Sequence, residues 1–126
     1  MDPLLDLSPE RIAQYRASAL RRRESEDEEI KKMKEQAWNA AKRAAILLRE
    51  QYNVSRVVVF GSLIHKDSFT RWSDVDIAAW GIKQEDTFRA IGEVLDLTTK
   101  FKMNLVDINA CQPELLSIIE RDGIDL

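Results

Sequence analysis

Turn-making residues and thiols are scarce in this chain. Of its 126 residues only four are glycine, three proline and one cysteine. The single Cys111 excludes an intrachain disulfide framework and a cysteine-rich zinc site, and it makes a reducing cytoplasm the expected setting. The longest purely apolar runs, "AAILL" and "VVVF", fall far short of the roughly 20 residues that span a bilayer, so no membrane partner is expected. The opening "MDPLLDLSPE" carries acids and prolines where a secretory leader needs basic and apolar residues. A formal net charge of −3 argues against direct nucleic-acid binding. At 44% hydrophobic and 33% charged, the composition is that of a globular protein with a modest core.

What is present falls into two styles of sequence. Ser8-Pro9-Glu10 reads as a helix start: a hydroxyl cap, proline at the first helical position, then an acid. From there to about Tyr52 no glycine or proline intervenes, and apolar residues recur at spacings of three and four, through Ile12, Tyr15, Ile30, Met33, Ala37, Ala40, Ala44 and Leu47. Within this stretch, "RRRESEDEEIKKMKE" (residues 21–35) has twelve charged side chains in fifteen, six of each sign. It reads as a solvated helix or a helix-hinge-helix. Trp38 belongs to the apolar stripe and is expected in the core.

After Asn53 the period changes. "SRVVVF", "DVDIAAW" and "MNLVDI" read as three strands. Between the last two, Phe88, Ile91, Leu95 and Thr98 mark a helix, and Gly92 inside it suggests close packing on a sheet. Pro113 opens a final helix that Gly123 stops. The expected fold is a small α/β domain over residues 53–126, preceded by a long N-terminal helical arm, 1–52, whose C-terminal half packs on the domain.

The chemistry gathers in "FGSLIHKDSFTRWSDVDIAAW". Side chains alternate across a strand, so Asp74 and Asp76 share a face. If the apolar faces of both strands cover one core, Asp107 of "NLVDI" joins them. Like charges 4 Å apart cost about 4 kcal/mol at an effective dielectric of 20, a large share of a typical 5–15 kcal/mol stability. Such a trio makes sense around a divalent cation, and oxygen-only ligands suit Mg²⁺. Gly61-Ser62 ends the preceding strand, where glycine lets backbone N–H groups approach an anion. A polyphosphate with Mg²⁺ satisfies both halves. Lys66 and Arg71 are candidate triphosphate contacts or solvated cations; His65 reads as an exposed loop residue. Trp72 either packs over its loop or stacks on a base.

A strand closed by Gly-Ser, a second strand with two carboxylates and a third acid downstream resemble the minimal nucleotidyltransferase (MNT) domains of the DNA polymerase β-like superfamily. The resemblance covers about residues 50–126. It implies a small mixed β-sheet backed by helices, with ATP and Mg²⁺, two ions by analogy, on the open face. In that analogy Asp74, Asp76 and Asp107 are catalytic and hold metal, while Gly61, Ser62 and Lys66 bind the nucleotide. Many stand-alone domains of this size are antitoxins that form a hetero-oligomer with a HEPN-domain ribonuclease toxin. Some of them transfer AMP from ATP to a toxin tyrosine and so neutralise it. The alternative expectation is an antitoxin that neutralises by binding alone, its catalytic face idle.

Overall fold

The computed structural model describes residues 8–126. Helix α1 runs Pro9–Tyr52. Its start is capped as the sequence requires: Ser8 Oγ accepts the Arg11 backbone N–H at 3.3 Å and Ser8 O accepts that of Ile12 at 3.0 Å. The chain divides into two compact units, the first ending at Lys32 and the second running Met33–Leu126. In the first, the helical surface is almost wholly exposed, with Tyr15 and Leu20 among the apolar residues left in solvent. Arg11 packs over the Tyr15 ring at 5.3 Å, an i,i+4 neighbour.

The second unit carries the sheet. Strands β1 (Arg56–Phe60), β2 (Val75–Trp80), β3 (Met103–Asp107) and β4 (Ile124–Asp125) are ordered β3-β2-β1-β4. β1 is antiparallel to β2 and β4, and β2 is parallel to β3. The sheet is therefore mixed. Parallel neighbours cannot be joined by a tight turn, and helix α2 (Thr87–Leu95) fills the crossover. Helix α3 (Pro113–Asp122) follows β3, and Gly123 then leads into β4. Gly123 is required by closeness: a methyl group there would collide with Val58 Cγ1 and the Ile119 carbonyl oxygen.

Both faces of the sheet are covered, and this decides the site. The ladder aligns Phe60 with Asp76, Val58 with Ala78, Asp76 with Asn104 and Ala78 with Val106. On this face Val58, Phe60 and Ala78 pack against Ile119 of α3, with Val106, Ile108 and Leu115 at the margin. The opposite face presents Val57, Val59, Val75, Ile77, Ala79, Met103 and Leu105, all buried. α2 packs on β3 and turns Ala90 and Val94 inward, and α1 contributes the buried row Ala37, Ala41, Ala44, Ala45 and Leu48 to the interior. Arg89 links the two helices, donating to Tyr52 Oη at 3.3 Å.

Three expectations need correction. Helix α2 ends at Leu95, short of Thr98, and it turns Ala90 and Val94 inward while Phe88 and Leu95 stand in solvent. A methyl on Gly92 would meet nothing within 4 Å, so no tight packing explains that glycine. Trp38 is only partly buried; the alanines beside it fill the interior instead.

Candidate active site

β1 ends where the chain must turn sharply. Gly61 takes φ +80°, a conformation that side chains disfavour, and opens a 3-10 turn, Gly61–Ile64, anchored by the buried Leu63. The turn lies against β2. A side chain at Gly61 would run into the Oδ2 oxygen of Asp76, and its Cβ would stand 3.3 Å from the Asp76 carboxyl carbon. The absent side chain is thus the space the carboxylate occupies. Ser62 is partly buried in the same turn, whereas His65 and Lys66 are exposed just beyond it. His65 also adds a small favourable charge effect at Asp122, whose pKa is held below the usual carboxylate range chiefly by the hydrogen bond from Arg121.

Asp74 precedes β2 and Asp76 lies within it, both partly buried. One nitrogen links them: Asn104 Nδ2 donates to Asp74 Oδ2 at 3.1 Å and to Asp76 Oδ1 at 2.9 Å. The register explains this, since Asn104 stands directly beside Asp76 on the neighbouring strand. Gly61, Asp76, Asn104 and Asp74 form one contiguous group at the end of β1.

Asp107 does not join it. The register pairs Asp107 with Ala79, on the other face of the sheet from Asp76. Its burial is nearly complete at 8% exposure, and each carboxylate oxygen has a partner: Oδ2 accepts the Thr87 hydroxyl at 2.8 Å and Oδ1 the Asn109 N–H at 3.0 Å. These bonds tie the end of β3 to the start of α2. The expectation of three acids on one surface, and of a second ion completed by Asp107, therefore does not hold. Its premise was a single covered face, but Val106 and Ile108 pack against the α3 side, so the apolar alternation of β3 does not fix its register. Among the described residues no cluster of three or more His, Cys, Asp or Glu side chains gathers. Asn104 takes the place expected of the third acid, and the signal that marks it is parity: it is the polar residue two positions before Val106 on the α3 face.

A structural role for Asp107 makes a testable contrast. Asp107→Ala removes two hydrogen bonds, from the Thr87 hydroxyl and the Asn109 N–H, at about 0.5–1.5 kcal/mol each, and is expected to cost about 1–3 kcal/mol of stability. Urea unfolding measures this cost. Cation binding at the Asp74–Asp76 pair should be unchanged, and its loss would return Asp107 to the site.

The donor set suits one hard cation. Two carboxylates on one side of a strand, open to further oxygens from water or phosphate, are the protein share that Mg²⁺ commonly takes. The single clamping amide and the glycine-made gap are consistent with that use.

Trp72 precedes Asp74 by two residues, in a hydrogen-bonded turn. Thr70 N–H donates to Ser73 Oγ at 2.9 Å, Ser73 N–H to Thr70 O at 3.0 Å, and Trp72 N–H to Thr70 Oγ1 at 3.3 Å. The indole is 85% exposed, so it does not pack over the loop. Trp72→Ala should change stability by less than about 0.5 kcal/mol. It should also remove the most acrylamide-accessible part of the tryptophan fluorescence; an unchanged quenching curve would contradict that placement.

Comparison with known proteins adds the lineage. No curated protein matches the chain in sequence. Several solved structures share its fold. A toxin–antitoxin complex crystallised with AMP-PNP aligns with TM-score 0.55 at 20% identity, over 66% of this chain and 69% of that one. The MntA–HepT toxin–antitoxin gives 0.52 at 16%, over 70% and 69%. The tri-AMPylated Shewanella oneidensis HEPN toxin in complex with MNT antitoxin gives 0.53 at 17%, over 71% and 70%. At such identities the likeness is one of fold. The sequence pattern described as "Polymerase beta, Nucleotidyltransferase" matches residues 42–126, the stretch that holds the sheet, the glycine turn and the paired acids, and by this match the chain belongs to the polymerase beta nucleotidyltransferase family.

Proposed function

We propose that this protein is an antitoxin that transfers AMP from ATP to a hydroxyl, a tyrosine by the family analogy, of a cognate HEPN-domain toxin in the cytoplasm. The transferase function is assigned to residues 53–126, with 1–52 as a helical arm. The observation that carries the reading is the joint placement of Gly61, Asp74 and Asp76. A strand-end turn able to receive phosphate meets two carboxylates able to hold a cation. The fold shared with MNT antitoxins, including one crystallised with a tri-AMPylated HEPN toxin, points to the substrate class.

In this reading Asp74 and Asp76 hold Mg²⁺. When bound, the ion supplies charge neutralisation for the triphosphate. Gly61 and Ser62 present backbone amides and a hydroxyl to the β- and γ-phosphates, and the exposed Lys66 adds a cation at their edge. The toxin hydroxyl attacks the α-phosphorus in line. Its O–P bond forms as the bond to the β-phosphate oxygen breaks, pyrophosphate leaves and the hydroxyl proton is released. The chain's contribution is positioning and electrostatic complementarity, which dominate phosphoryl-type transfers.

The test incubates the full chain with ATP labelled on the α-phosphate, Mg²⁺ and the HEPN protein encoded beside it. Label should appear on the partner. A partner that stays unlabelled yet is neutralised would replace transfer with neutralisation by binding alone.

A further inference from the structure

We infer that Asn104 is a positioning residue that holds Asp74 and Asp76 side by side until a divalent cation takes over that task, and that it thereby sets how tightly the cation is held. The inference rests on the transferase reading of this site. Its basis is the pair of hydrogen bonds from one nitrogen, 3.1 Å to Asp74 and 2.9 Å to Asp76. A primary amide nitrogen carries two protons, and here one goes to each acid. The donor is neutral, so it eases the repulsion between the carboxylates without cancelling their charge.

A cation seated between these oxygens needs the same lone pairs that the amide protons occupy. Cation and amide nitrogen therefore compete, and the nitrogen must withdraw as the cation enters. The other end of the side chain is a carbonyl oxygen, itself a hard ligand of the kind Mg²⁺ and Mn²⁺ accept. Asparagine alone among residues of this size and shape offers both: a donor for the empty pair and an acceptor for the filled one. Aspartate has the same shape and no donor. At this position it would crowd three like charges when no cation is bound, and would add a charged ligand when one is.

Mn²⁺ is the probe, added to the full-length protein without nucleotide or partner, and binding is followed by calorimetry and by the thermal midpoint with and without the ion. Asn104→Asp should bind Mn²⁺ about tenfold or more tightly than the parent. It should also melt lower than the parent in the absence of cation and gain more on adding it. Asn104→Ala, which removes the donor without adding charge, should likewise melt lower without cation and regain part of the loss with it. If Asn104 only fills space, each variant loses the same amount with and without Mn²⁺, and Asn104→Asp binds the ion no better than the parent. That result overturns the inference while leaving AMP transfer by the parent, and the transferase reading, intact. Failure of the parent and both variants to take up Mn²⁺, even with ATP present, would remove the cation site and the inference together.

Discussion

Replacing Asp74 and Asp76 together by alanine should lower AMP transfer by about 10³-fold or more while leaving the protein folded. The loss follows from removing the charges that hold the cation, since single electrostatic stabilisers in enzyme sites are worth about 10²–10³-fold each. Survival of the fold follows from comparing two magnitudes. The acids share one hydrogen-bonding nitrogen at 3.1 and 2.9 Å. Two like charges about 5 Å apart repel by about 3 kcal/mol at an effective dielectric of about 20. Leaving the partly buried amide of Asn104 without acceptors costs about 1–3 kcal/mol. The terms nearly cancel, so without cation the double variant should melt close to the parent. A label count on the partner and a thermal melt check both halves. Undiminished labelling would place the chemistry elsewhere on the chain.

Gly61→Ala is expected to damage stability and site together. At φ +80° the left-handed backbone costs an ordinary residue about 1–2 kcal/mol. The added methyl also lands on Asp76 Oδ2, and it has no free direction, because the turn is pinned by Leu63 and Asp76 sits in the ladder. A total cost above about 2 kcal/mol follows, with Asp76 displaced from Asn104. A misplacement of about 1 Å in a positioned group can cost about 10²-fold in rate, so cation affinity and transfer should fall together. Gly92→Ala is the matched control: nothing lies within 4 Å of the added carbon, and alanine in a helix should gain about 0.5–1 kcal/mol. An alanine at position 61 as stable and active as the parent would mean that the turn relaxes freely.

Where local chemistry dictates structure, the sequence could be read directly. Ser8 and Pro9 start α1, Pro113 starts α3, Gly123 ends it, and three β-branched runs became β1, β2 and β3. Asp74 and Asp76 shared a face because a period of two guarantees it. Reading failed where two elements had to be related to each other. β3 carries Met103 and Leu105 on one parity and Val106 and Ile108 on the other, and a sheet covered on both sides accepts either, so nothing local distinguishes Asn104 from Asp107 as the residue beside Asp76. β4, two residues long, is shaped by pairing with β1 and by the Arg56–Asp125 ion pair at 2.6 Å rather than by its own sequence. Arg56 also stacks 4.4 Å over the Trp80 ring.

The amide that spans the two acids has an implication at the level of codons. Asparagine and aspartate triplets differ by a single base, so one point substitution at position 104 exchanges a hydrogen-bond donor for a charge with no change in side-chain shape. Ion dependence in this lineage is therefore open to tuning by the smallest of genetic steps, with the backbone around it left as it stands.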